Sequence, residues 1–156
     1  FTARLSMGYP SAAAELQMLD SHGSHEPLDD LEAVADAAEV ARAIELVRTV
    51  YVAPDVRRYT VDLVAATRNS TELRLGASPR ATLQLLRAAR AAAALDERDY
   101  VLPDDVRALT QPVLTHRLLI TAESQISRRT ASDILADIVA RVAVPAPASR
   151  PRGTKG

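Results

Sequence analysis

Six residues, Gly76-Ala77-Ser78-Pro79-Arg80-Ala81, constrain this chain more than any other stretch, because they end one segment and fix the start of a long helix. Ser78 is placed to cap that helix, since a serine hydroxyl can accept from backbone N–H groups that have no partner within it. Pro79 suits the first helical position, where its fixed φ fits and its missing N–H would have gone unpaired anyway. Arg80 then stands in the first turn, where the positive end of the helix favours an acid and disfavours a cation by roughly a few tenths of a kcal/mol. Two readings follow. Arg80 is an ordinary surface side chain above a tolerable cap, or it joins the helix end in holding a strongly anionic group such as a phosphate.

The helix that Pro79 opens is expected to run to about Asp96 with two distinct faces. Leu85, Leu86, Ala89, Ala92 and Ala93 share the side that must meet a core, while Arg80, Gln84 and Arg87 stack outward at i, i+4 and i+7. Other segments follow the same pattern. Aromatics make up only 3% of the chain and Trp is absent, so the core falls to Ala, Leu, Val and Ile, a composition that favours helix. Ser11 caps a short helix from about Ala12 to Asp20, and Asp36 with Glu39 forms a capping box. The helix after that box is expected to turn Val40, Ala43, Ile44, Val47 and Tyr51 inward. Pro54 opens a helix with Val56, Tyr59, Leu63 and Thr67 inward, and Pro103 opens another that Pro112 kinks or interrupts. Thr130 caps a last helix with Ile134, Leu135, Ile138 and Val142 inward.

Extended structure is scarce. Thr2 to Met7 alternates in polarity and reads as a strand ended by Gly8-Tyr9-Pro10, and because it follows Phe1 directly the chain reads as a piece of a longer polypeptide. His116 to Ile120 reads as a second short strand, facing residues 100–102. Beyond Val144 the Pro- and Arg-rich sequence offers nothing to pack and reads as a disordered tail.

Several chemistries are excluded or weakened. There is no cysteine, hence no disulfide, thiol nucleophile or cysteine-held metal. Lys155 is the only lysine and is followed directly by Gly156, which supplies no Ser or Thr hydroxyl, so no phosphate-cradling G-x-x-x-x-G-K-[ST] loop exists in this sequence. His22 and His25 lie in a loop without a third ligand, so no metal site is expected. Asp29-Asp30 and Asp104-Asp105 read as helix-start acids, and Arg128-Arg129 as a solvated loop before Thr130. Residues 1–75 hold 7 basic and 12 acidic side chains and residues 76–156 hold 12 and 8, too dilute a basic half for nucleic-acid binding. No apolar run has the roughly 18 residues of a membrane span and no leader is seen, so a soluble cytoplasmic protein is expected.

Four blocks in fixed order carry a resemblance: Arg-Leu-Ser-Met-Gly-Tyr-Pro-Ser (4–11), Val-Arg-Arg-Tyr-Thr-Val-Asp-Leu-Val-Ala-Ala-Thr-Arg (56–68), Leu-Gly-Ala-Ser-Pro-Arg-Ala (75–81) and Tyr-Val-Leu-Pro-Asp-Asp-Val (100–106). Together they resemble the C-terminal part of the MoxR family of AAA+ ATPases, over residues 1 to about 144. The segments add up to a mainly α fold, a compact bundle of four or five helices preceded by one strand and with a minor two-stranded hairpin; the resemblance implies that the bundle is a lid and the strand is left from an α/β ATPase core. Residues 1–10 would be the closing strand of the core, 11–35 a helix and variable loop, 36–143 the lid, and 144–156 the tail. It also implies that Arg80 is the family's sensor 2 arginine, with Ser78 and Pro79 forming the nucleotide-facing helix start. ATP and Mg²⁺ would be held mainly by a core whose Walker A lysine, Walker B acids and sensor 1 have no counterparts here, so this stretch alone is expected to be inactive. The whole protein would be an ATP-hydrolysing, ring-forming chaperone that remodels partner proteins or assists metal cofactor insertion, its clients including proteins with von Willebrand A domains. The alternatives are a magnesium-chelatase-like motor subunit, or a non-catalytic helical adaptor whose Arg80 face meets a protein.

Overall fold

Polar caps start the first two helices of the chain. In the computed structural model, which describes residues 1–21 and 27–145, Ser11 Oγ accepts from the Ala14 N–H at 3.3 Å where α1 (Ala12–Ser21) begins. Asp36 Oδ1 accepts from the Glu39 N–H at 2.7 Å and Glu39 Oε2 from the Asp36 N–H at 2.9 Å, the expected capping box, at the start of α2 (Ala37–Thr49). Leu5–Leu46 forms one unit, holding α1, a 3-10 turn at Pro27–Asp30 and most of α2. Neither helix buries a residue. Val40 and Ile44, expected to point inward, are 52% and 49% exposed, and Tyr51 lies beyond the end of α2. Periodicity identifies a face that can be covered; it does not supply the cover. Asp29-Asp30 closes the 3-10 turn rather than opening a helix, and His22 and His25 fall outside the described residues.

The second unit comprises Phe1–Arg4 and the chain from Val47 onward. Its main helices are α3 (Pro54–Arg68), α4 (Pro79–Leu95), α5 (Pro103–Leu114) and α7 (Ala131–Arg141), with a single turn and a half, α6 (Ala122–Ile126), before the last. Proline stands in the first turn of α3, α4 and α5, where the orphan N–H positions make it harmless. Thr130 and Asp133 exchange hydrogen bonds to start α7: Thr130 Oγ1 accepts from the Asp133 N–H at 3.1 Å, and Asp133 Oδ2 from the Thr130 N–H at 3.0 Å. Apart from the buried Tyr59, the core is aliphatic, as the composition requires: Val56, Leu63 and Val64 of α3, Leu85 of α4, Val106 and Leu114 of α5, and Ile134 and Leu135 of α7 are all at most 5% exposed.

α4 runs through the middle of this packing. Ala81, Leu85, Ala89 and Ala93, spaced by four, are completely buried, and the three alanines leave room for a neighbouring backbone to come close. Pro112 does not interrupt α5, which continues to Leu114. A proline that near the end removes a single hydrogen bond of the last turns, and burial of Val113 and Leu114 holds the helix together around it.

Two strand expectations change. Residues 1–10 form no regular element, so the strand over Thr2–Met7 is not present. A strand is held by its neighbour's ladder, and here Arg4 N–H instead donates to the Pro112 carbonyl at 2.8 Å while the Arg117 guanidinium donates to the Phe1 carbonyl. The minor sheet does form, but it is not a hairpin and does not use residues 100–102. β1 (Leu73–Leu75) pairs antiparallel with β2 (Leu119–Ile120), Leu73 opposite Ile120. Tyr100 makes a parallel bridge to Tyr51, with Tyr51 N–H donating to the Asp99 carbonyl at 2.8 Å and Val101 N–H to the Tyr51 carbonyl at 2.9 Å.

Asp105 does more than sit at a helix start. Its carboxylate accepts from the Leu102 N–H at 2.8 Å and takes both Arg98 terminal nitrogens, at 2.8 and 2.6 Å. Burial pushes this carboxyl up, but the Arg98 guanidinium and the Leu102 N–H outweigh it and hold the group below its ordinary value. The native state therefore prefers the ionised form, so the stabilisation is complete above the unfolded value of about 4 and disappears as pH falls through the lower native one. Asp105→Asn is expected to destabilise the protein by about 2 kcal/mol at pH 7. Urea melts at a series of pH values should show that gap closing below about pH 4; a gap that is constant with pH would contradict the assignment.

Candidate functional site at the start of α4

The turn that delivers Arg80 is built against the last turn of α3. Thr67 is completely buried, and its hydroxyl donates to the Val64 carbonyl at 2.7 Å while accepting from the Ala77 N–H at 2.9 Å. The next residue, Arg68, donates from Nη1 to the Ala77 carbonyl at 2.9 Å. Both polar groups of one peptide unit's flanks, the N–H and C=O of Ala77, are thus held by adjacent residues of α3. Gly76 lies so close to that helix end that a Cβ on it would stand 2.6 Å from Arg68 Cα, Arg68 N and the Thr67 carbonyl oxygen. Ala77 itself is completely buried.

From that anchored peptide the chain turns into α4. Ser78 occupies the N-cap with extended backbone angles (φ −74°, ψ 163°), as expected, but its hydroxyl makes no cap hydrogen bond. The Ser78 carbonyl accepts instead from the Ala81 N–H at 2.9 Å, tightening the first turn. The cap is set by Ala77 and Pro79, so the serine oxygen is not needed to fix it.

Arg80 is exposed and its guanidinium makes no hydrogen bond or ion pair with any described residue. No acid stands in the first turn of α4 to offset it. Arg87, two turns along, is likewise exposed and unpaired. Gln84 between them is half-buried, and its Oε1 is enclosed without a donor. The expected stripe therefore exists, with its two cations free and its amide partly sunk. By contrast Arg129, read as a solvated loop residue, is taken up structurally: it donates to Glu72 Oε1 at 3.0 Å and pairs with Asp137.

An unpaired guanidinium at a helix start, beside an Arg80 N–H that has no intrahelical partner, is suited to phosphate oxygens. It is not suited to a metal ion. Among the described residues no three His, Asp or Glu side chains converge as a bound cation would require. The residues present fit a polyphosphate contact, and none of the described residues form a cation site. Thr67 and Arg68 were legible only as a core position and as part of a sequence block; the clue to their role is Gly76, whose missing side chain signals that a backbone lies against it.

The chain is similar to several known proteins. The AAA lid domain matches residues 65–138. The uncharacterized YeaC of Bacillus subtilis is 34% identical over 145 residues, which is 93% of this chain and 45% of YeaC. The chaperone MoxR1 of Mycobacterium tuberculosis is 29% identical over 154 residues, 93% of this chain and 40% of its own length. MoxR of Paracoccus denitrificans is 37% identical over 112 residues, 64% of this chain and 33% of its own. A solved structure from Cytophaga hutchinsonii, assigned as an ATPase, shares the fold with a TM-score of 0.83 at 24% identity, over 94% of this chain and 47% of that one. The chain spans less than half the length of these relatives. No described helix is long and apolar enough to cross a membrane.

Proposed function

The chain corresponds to the lid-bearing C-terminal part of a MoxR-family AAA+ protein, and on that premise we propose that Arg80 is its sensor 2 arginine, the lid's contact with the phosphates of ATP. The observation that carries this reading is a guanidinium without a partner among the described residues, at a helix start whose preceding Ala77 is hydrogen-bonded through both its N–H and its carbonyl to α3. A planar, permanently charged fork can take two phosphate oxygens at once. Ser78 and Pro79 bring the start of α4 up to the nucleotide, and the Arg80 N–H, with no intrahelical partner at this position, adds a donor.

Nucleotide hydrolysis would then be felt by the lid through one side chain. While the γ-phosphate is present Arg80 gains a charge-assisted contact; when it leaves, that contact weakens and the preferred lid position changes. Mg²⁺ and the catalytic groups belong to an ATPase core, and the lid with its neighbours would complete a ring. The chaperone designation of the Mycobacterium relative supports a remodelling role on partner proteins. Metal cofactor insertion and clients with von Willebrand A domains are the finer form of that role, resting on the family resemblance.

In the protein that carries both core and lid, Arg80→Ala is expected to lower ATP turnover by roughly 100-fold, the cost of deleting one well-placed charge-stabilising donor. Steady-state ATP hydrolysis checks it. Turnover and nucleotide affinity both unchanged would overturn the assignment. An adaptor role would show itself differently: phosphate analogues would leave the backbone resonances of residues 76–90 unmoved.

A further inference from the structure

Arg80 can report on a phosphate only if its backbone does not yield when the phosphate pulls on it. An exposed arginine on a free loop would follow the ligand and transmit nothing. In this chain the residue stands three positions beyond Ala77, whose N–H and carbonyl are both tied to α3, by Thr67 Oγ1 and by Arg68 Nη1, each at 2.9 Å. Thr67 is itself held from behind by the Val64 carbonyl at 2.7 Å, so its hydroxyl has no freedom to rotate away. Gly76 removes the remaining slack by bringing the strand-to-helix turn into direct contact with the backbone of residues 67 and 68.

The Arg68 bond is the informative part. A helix end does not need an arginine to reach nine residues along the chain and hold a carbonyl, and Arg68 is otherwise an exposed side chain in the last turn of α3. Ser78, the residue placed to fix the helix start by capping, makes no side-chain bond. The start of α4 is therefore positioned from α3.

We propose that Thr67 and Arg68 are positioning residues for the phosphate contact: they couple Arg80 to α3, so that force on its guanidinium moves the lid as a body. The proposal rests on Arg80 being the sensor arginine, and its test separates the two. Neither residue touches nucleotide, so their loss should reduce kcat while leaving KM for ATP nearly unchanged. In the protein with core and lid, Thr67→Val, which keeps the shape and removes both hydrogen bonds, is expected to lower kcat about tenfold. Thr67→Ser should restore most of it. Arg68→Gln, whose shorter side chain cannot reach the Ala77 carbonyl, alters an exposed position and provides a variant whose folding is not in question; a drop of several-fold is expected.

The deciding measurement is each substitution in an Arg80→Ala background. Residues that act through Arg80 have nothing left to position there, so Thr67→Val and Arg68→Gln should cause no further loss of turnover, although any effect on melting temperature persists. A loss that repeats in full in that background, or no loss in the single variants while Arg80→Ala is impaired, overturns the proposal alone. An Arg80→Ala protein with normal turnover overturns both the proposal and the sensor assignment.

Discussion

Gly76→Ala is expected to destabilise the helical unit by about 3 kcal/mol, the upper range for forcing extra volume into a packed site. The reason is not conformational freedom. The added methyl would meet Arg68 Cα, Arg68 N and the Thr67 carbonyl oxygen, each at 2.6 Å, and all three are backbone atoms of a helix that cannot swing aside. Relief requires moving the turn away from α3, and that breaks the hydrogen bonds from the Ala77 N–H and to its carbonyl. Gly8 makes the contrast: its φ of +68° favours glycine, but nothing lies within 4 Å of the position a Cβ would take. Gly8→Ala should therefore cost only about 1 kcal/mol, from backbone strain. Thermal unfolding of the two variants checks the pair, since each kcal/mol lowers the midpoint by roughly 4–8 °C in a domain of this size. Equal shifts for both would remove the close approach of Gly76 as an explanation.

Helices were largely readable from the sequence because their signals are local. Pro54, Pro79 and Pro103 mark starts, Asp36 with Glu39 and Thr130 with Asp133 complete hydrogen bonds within four residues, and apolar spacing picks out Leu63 or Ile134 as interior. Pairings over long separations were not readable. Leu73–Leu75 is three residues long and finds its partner some forty-five residues later, so no alternation could announce it. Residues 116–120 read as facing 100–102, whereas Leu119–Ile120 pairs with Leu73–Leu75. The same limit applies to the site. Arg80 stood out because a cation at a helix start is locally odd. Thr67 and Arg68 did not, because what makes them important is the peptide of Ala77, ten and nine residues away. Val40 and Ile44 show the reverse: a correct helix with a correct apolar face, and no burial to go with it.

Leu85→Ala should be the most damaging truncation on α4, at about 3–4 kcal/mol, because the side chain is wholly enclosed and its loss removes both buried surface and packing contacts. Its neighbours along the helix, Ala81, Ala89 and Ala93, are already minimal, so the helices pressed on this face have no larger side chain on α4 with which to refill the space. The opposite face obeys other rules. Arg80 and Arg87 are exposed and unpaired among the described residues, so alanine there should change stability by no more than about 0.5 kcal/mol in either direction. For Arg80 the sign should be slightly favourable, since a cation is being removed from the positive end of a helix. Chemical denaturation of the Leu85, Arg80 and Arg87 variants side by side tests this division. If Arg80→Ala proved as destabilising as Leu85→Ala, its guanidinium would have a structural partner, and lost ATP turnover could no longer be assigned to a missing phosphate contact. If instead its stability matches or exceeds the parent while turnover falls, the arginine is kept in an unfavourable place for what it binds and not for what it holds together.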